Sequence, residues 1–172
     1  YEEGKLSKAN LRYQRFQLFF MEVGLKADPQ EFGERYLVHL SESTAMMEGA
    51  EELLTKLGVN YKLALVTNGI KEVQRSRLAL SGLGSYFSYI AISDEIGVAK
   101  PDAAFFSHVF HGLEYPSKER TLIIGDNLNA DIRGGLDFGI DACWFNYDQR
   151  ERYLEVAPTY EISHLSELYS FL

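Results

Sequence analysis

An α/β fold, with a parallel sheet covered on both faces and a small helical cap, is what the sequence predicts. Two observations carry it. From about Met46 onward short apolar runs alternate with helical segments, and the residues before Met46 read as helix with no strand of their own. Strands separated by helices imply right-handed crossovers and a parallel sheet. A strand covered on both faces is continuously apolar rather than alternating, as Leu63-Ala64-Leu65-Val66 and Leu122-Ile123-Ile124 are.

In chain order, two helices are expected between about Lys5 and Glu42. Leu6, Phe16, Phe19, Phe20, Val23 and Leu25 mark the first, and Phe32, Tyr36, Leu37 and Leu40 the second. Asp28-Pro29 separates them, with proline suited to the first position of a helix. Then follow helix Ala50 to Leu57, strand Tyr61 to Val66, helix Lys71 to Leu80 and strand Tyr89 to Ser93. Helix Pro101 to Phe110, strand Thr121 to Ile124, helix Ala130 to Phe138 and strand Ala142 to Phe145 complete the pattern. The expected organisation is a cap over residues 1–45 and a core over 46–172.

The 172 residues are 46% hydrophobic, enough for one core with a small appended lobe. A net charge of −8 repels nucleic-acid polymers and anionic membranes, so a small anionic ligand must be held by local cations or a metal. Cys143 is the single cysteine, which excludes an internal disulfide, and its apolar surroundings read as core. No apolar run reaches the length of a membrane span, and the start, Tyr-Glu-Glu-Gly-Lys, lacks the order of a secretory signal. A cytoplasmic monomer or homodimer without a membrane partner is expected.

Ligands of open parallel sheets gather beyond the carboxyl ends of the strands, and three such places stand out. After the strand ending at Val66 comes Thr67-Asn68-Gly69, a hydroxyl, a carboxamide and a permissive backbone that can present donors to phosphate; Asn-Gly is also an ordinary turn. Lys100-Pro101 puts proline at the first helical position and lysine at the N-cap, where the helix dipole favours anions. That breach of a local rule fits a functional cation, though a solvated lysine would look the same. Gly125-Asp126-Asn127-Leu128-Asn129-Ala130-Asp131 follows the strand ending at Ile124. Its carboxylates suit a hard cation such as Mg2+, or simple helix capping.

In this order, strand-Thr-Asn, Lys-Pro and strand-Gly-Asp-x-x-x-x-Asp resemble the second, third and fourth motifs of the haloacid dehalogenase-like (HAD) hydrolase superfamily. The likeness covers nearly the whole chain. It implies a Rossmann-like α/β core with a helical cap, and a magnesium-dependent hydrolase in which an aspartate at a strand end forms a phosphoaspartate that water then cleaves. By that resemblance Thr67 binds phosphate with support from Asn68 and Gly69. Lys100 contacts phosphate and nucleophile, Asp126 ligates Mg2+, and Asp131 positions Lys100 or a metal-bound water. The pyrimidine 5′-nucleotidase branch is the nearest likeness. It rests on Gly4-Lys5-Leu6-Ser7-Lys8, Thr67-Asn68-Gly69-Ile70-Lys71-Glu72-Val73-Gln74, Gly97-Val98-Ala99-Lys100-Pro101 and Cys143-Trp144-Phe145-Asn146. It implies a small phosphorylated substrate, a nucleoside 5′-monophosphate. Tyr13, Phe16, Phe20 and Tyr36 could stack on a base, but their helical spacing also fits the hairpin's own core.

The family's first motif, an apolar strand ending in Asp-x-Asp-x-Thr/Val, does not occur in the sequence. Without that central strand two parallel edges would be left unpaired, so a preceding segment carrying the nucleophile is expected. A 2-haloacid dehalogenase-type hydrolase and a catalytically inactive phosphate-binding protein of the same fold are the alternatives. The former needs no metal, against the paired Asp126 and Asp131. A receiver-type signalling module would place its acidic pair before the lysine, the reverse of the order here. His108 and His111, three apart on one helix, and the acidic stretch Asp148 to Glu155 read as solvated surface.

Overall fold

A computed structural model describes residues 8–153 and 155–172. Lys5 to Ser7, the expected start of the first helix, and Gly4 to Ser7 of the nucleotidase-like stretch lie outside the described residues. Helices α1 (Lys8–Val23) and α2 (Pro29–Glu42) form the hairpin. Asp28 caps α2, its carboxylate accepting from the amides of Gln30 at 2.8 Å and Glu31 at 3.3 Å, with Pro29 next in line. Gly33 lets the helices close up: a Cβ there would lie 2.8 Å from the carbonyl oxygen of Arg12. Phe16 meets Phe32 and Tyr36 at ring separations of 4.9 and 5.3 Å, and Phe20 meets Phe32 at 5.2 Å. These rings hold the hairpin together, while Tyr13 is hydrogen-bonded to Asn10. Phe19, Val23 and Leu25 are more than half exposed.

Beyond α3 (Ala50–Leu57), β1 (Ala64–Thr67) pairs in parallel with β2 (Tyr89–Ile92), Ala64 opposite Tyr89. A second parallel sheet runs in the order β3 (Leu122–Gly125), β4 (Asp141–Phe145), β5 (Tyr160–Ile162). Helices α4 (Lys71–Ser81), α5 (Ser93–Ile96), α6 (Ala103–Gly112) and α7 (Gly134–Phe138) connect the strands. Leu53 and Leu57 of α3 bury against Cys143, Ile162 and Leu168, each leucine contributing roughly 1.5–3 kcal/mol. Phe106, Phe110, Ile123, Ile132, Ile140 and Trp144 build the main core. Burial pushes the Cys143 thiol up to about 11, so it is a neutral core group at physiological pH. No helix among the described residues is long and apolar enough to cross a membrane.

Several boundaries depart from expectation, each for a local reason. The first strand starts at Ala64, because the amide of Tyr61 is already bonded to the Leu57 carbonyl at the end of α3. The second stops at Ile92, since Ser93 opens the short α5 that Gly97 ends at φ 83°. Helix α6 begins at Ala103, not Pro101: the Asp102 carboxylate accepts from Ala104 N at 2.8 Å and is the true N-cap. Lys100 therefore does not sit at a helix N-cap. The first half of the expected helix Ala130 to Phe138 lies instead in a π-helical turn, Leu128–Arg133, in which Ile132 N reaches back to Asn127 O at 3.3 Å, and α7 starts only at Gly134. The three-residue β5 is too short to show a period and has no counterpart in the sequence reading.

Among the described residues β1 and β3 pair on one side only, with β2 and β4 respectively. A cavity of about 560 Å³ is bounded by Leu63 ahead of β1, Leu122 and Ile124 of β3, and Leu57 of α3. Ile124, inside a parallel strand, is 37% exposed.

Candidate active site

Thr67 is the last residue of β1, and the turn after it is closed by its own side chain: Gly69 N donates to Thr67 Oγ1 at 3.1 Å. This arrangement commits the Gly69 amide and leaves the hydroxyl proton of Thr67 to donate elsewhere. Farther along, the first amide of α4, Lys71 N, donates to Asp94 Oδ2 at 3.2 Å.

Lys100 lies in the connection between α5 and α6 and is 7% exposed. Its Nζ donates to Asp131 Oδ1 at 2.6 Å and to the backbone oxygen of Val66 at 3.0 Å. The lysine thus ties the end of β1 to the segment after β3. Asp131 is buried too, and its second oxygen accepts from Asn127 N at 3.1 Å. Asn127 in turn caps the π-helical turn, Oδ1 accepting from Asn129 N at 3.0 Å and Ala130 N at 2.8 Å. π-Helical turns cluster at functional sites, and this one carries Asp131 inward. Gly125 leaves room for it, since a Cβ at that position would run into the Asp131 carboxylate.

Asp126 follows β3 with its side chain exposed. Its backbone oxygen accepts from Trp144 Nε1 at 3.0 Å, which satisfies the one polar atom of an otherwise buried indole. Arg150, on the loop after β4, is hydrogen-bonded to Asp148; that carboxylate holds the guanidinium above its ordinary range, with Asp126 among the lesser contributors.

The sequence-predicted residues therefore meet through one hydrogen-bonded chain. Asn68 bonds the Lys100 backbone, Lys100 bonds Val66 beside Thr67, and Asp131 links Lys100 to Asn127 beside Asp126. Thr67 and Asp126 join it through their neighbours. Trp144 and Asn127 were part of the quoted motifs but were given no role there; a lone tryptophan inside a strand, whose N–H needs a partner, and an Asn ahead of a helical segment were the available signals. Among the described residues no three His, Cys, Asp or Glu side chains converge on a metal position. With Asp131 committed to Lys100, the exposed Asp126 carboxylate fits an ion such as Mg2+, which needs few protein carboxylates beside waters and substrate oxygens.

The profile of the haloacid dehalogenase-like hydrolases matches residues 9–145. The chain belongs to that family. Its structure superposes on HAD-hydrolase YfnB of Bacillus subtilis, crystallised with magnesium, at a TM-score of 0.91 and 40% identity, over 98% of this chain and 74% of YfnB. The pyrimidine 5′-nucleotidase PynA of Streptococcus pneumoniae is 39% identical over 165 residues, 95% of this chain and 70% of PynA. Pyrimidine 5′-nucleotidase YjjG of Escherichia coli is 33% identical over 172 residues, the whole of this chain and 76% of YjjG. The α/β core is thus a HAD core, and the protein is a HAD hydrolase.

Proposed function

We propose that the protein is a magnesium-dependent phosphatase that hydrolyses nucleoside 5′-monophosphates through a phosphoaspartate. The observation that carries this reading is the buried Lys100–Asp131 pair, anchored on Val66 next to Thr67. An ammonium taken out of water and held by one carboxylate and one carbonyl is preorganised for a second anion, and such fixed charge acts most strongly where water is excluded. The likeness to two pyrimidine 5′-nucleotidases supports a nucleotide as that anion's carrier.

In this reading the Thr67 hydroxyl donates to a phosphoryl oxygen, with Asn68 and Gly69 shaping the turn that presents it. Lys100 neutralises charge on the phosphoryl group and its attacking oxygen, and Asp131 fixes the ammonium. Asp126 would hold Mg2+, which when bound supplies charge neutralisation on the phosphate. In this reading the nucleophilic aspartate sits on a strand paired with both β1 and β3, and the support for it is that each of these has one unpaired edge among the described residues and that Ile124 of β3 is exposed. Residues 1–45 act as the cap over this site and 46–172 as the core.

Inorganic phosphate release by the full-length protein tests the proposal. Uridine 5′-monophosphate should yield phosphate with Mg2+ present, and 2-chloropropionate should yield no chloride. Chloride release that persists in EDTA, without phosphatase activity, would replace the reading with a dehalogenase.

A further inference from the structure

The carboxamide of Asn68 is bonded at both ends to one residue. Its Oδ1 accepts from Lys100 N at 2.9 Å, and its Nδ2 donates to Lys100 O at 2.9 Å. Pairing with the N–H and C=O of a single residue is what an adjacent strand does in a sheet. Here a side chain does it for a segment that lies in no strand, between Gly97 at the end of α5 and the N-cap Asp102. A lysine has a long flexible stem, so the aim of its ammonium depends on where its backbone is held. With that backbone clamped from the Thr67 turn, Nζ ends on Val66 O and Asp131 Oδ1.

We infer that Asn68 is a positioning residue: its carboxamide clamps the Lys100 backbone against the end of β1 and so aims the ammonium, a role separate from any contact with phosphate. This rests on the phosphatase reading for its effect on turnover, but not for the clamp itself. Only a group with a donor and an acceptor side by side can make both bonds. Alanine makes neither, and aspartate, of the same shape, sets an oxygen against the Lys100 carbonyl.

Two measurements on the full-length protein test it. With p-nitrophenyl phosphate and Mg2+, Asn68→Ala is expected to lower kcat by about 10²-fold, the scale of a misplaced catalytic group, while in a Lys100→Ala background the same change has almost no further effect. An equal loss in both backgrounds would overturn the inference, since Asn68 would then act independently of Lys100. The second measurement needs no turnover: acetic anhydride labelling read by mass spectrometry. Lys100 should be protected in the parent protein and label at a rate approaching that of the half-exposed Lys62 in Asn68→Ala and in the equal-volume Asn68→Asp. Unchanged protection of Lys100 in a folded variant refutes the clamp. Absence of phosphate release from the parent protein would count against the phosphatase reading alone, and the labelling would still decide the clamp.

Discussion

Replacing Asp131 with alanine is expected to lower stability by about 3–5 kcal/mol and to abolish most turnover, because it strands the Lys100 ammonium in a site that excludes water. The two charged groups are 2.6 Å apart with side chains only 7% and 8% exposed. Each has been desolvated, and each is tolerated because the other is present; the Val66 carbonyl and the Asn127 amide complete their hydrogen bonding. Lys100→Ala leaves the reciprocal defect, an unpaired buried carboxylate. Removal of both charges separates structure from chemistry. Lys100→Met with Asp131→Leu should recover much of the stability, since an apolar pair of similar volume often replaces a buried ion pair without loss. Its turnover should stay low: losing a preorganised charge costs about 3 kcal/mol of transition-state stabilisation, roughly 10²-fold. Urea melts and phosphate release on the four proteins provide the readings. Near-normal turnover by the double variant would remove Lys100 from the chemistry and leave the pair a purely structural device.

Asp126→Ala is expected to be as damaging to turnover, about 3 kcal/mol, yet nearly silent in stability. Its side chain is exposed, and the hydrogen bond at this residue that organises the core comes from Trp144 to the backbone oxygen, which alanine keeps. EDTA should reproduce the loss in the parent protein and add nothing to the loss in Asp126→Ala. Trp144 is the one tryptophan among these 172 residues and is hydrogen-bonded to the backbone oxygen of the proposed metal ligand. Mg2+ should therefore change the intrinsic fluorescence of the parent protein and not that of the variant. An equal fluorescence response in both would place the ion elsewhere.

The α/β alternation was legible because β1 to β4 are built on uninterrupted apolar runs and the longer helices carry their own period, whereas β5, Tyr-Glu-Ile, and the four-residue α5 have neither signal. The hairpin was legible because Asp28-Pro29 separates the two helices and caps the second. What escaped has local causes. Lys100 looked like an N-cap because Pro101 suits a first helical position, but the Asp102 carboxylate, two residues on, caps α6 by accepting from Ala104 N. The π-helical turn that delivers Asp131 depends on Asn127, whose side chain caps it from a position that reads equally well as an ordinary loop. The residues Thr67, Lys100, Asp126 and Asp131 were named from order and spacing. No spacing rule could say that Lys100 would reach across to Val66, or that Gly125 would yield its side-chain space to a carboxylate. Those are products of packing between segments far apart in the chain.

The most direct test is a crystal structure of the full-length protein grown with Mg2+ and orthovanadate, a mimic of the phosphoryl group in transfer. Vanadate oxygens should lie within hydrogen-bonding distance of Thr67 Oγ1 and Lys100 Nζ, with the cation between the anion and Asp126. Vanadate bound in another cleft, with Lys100 still closed on Asp131 and Val66 alone, would contradict the site.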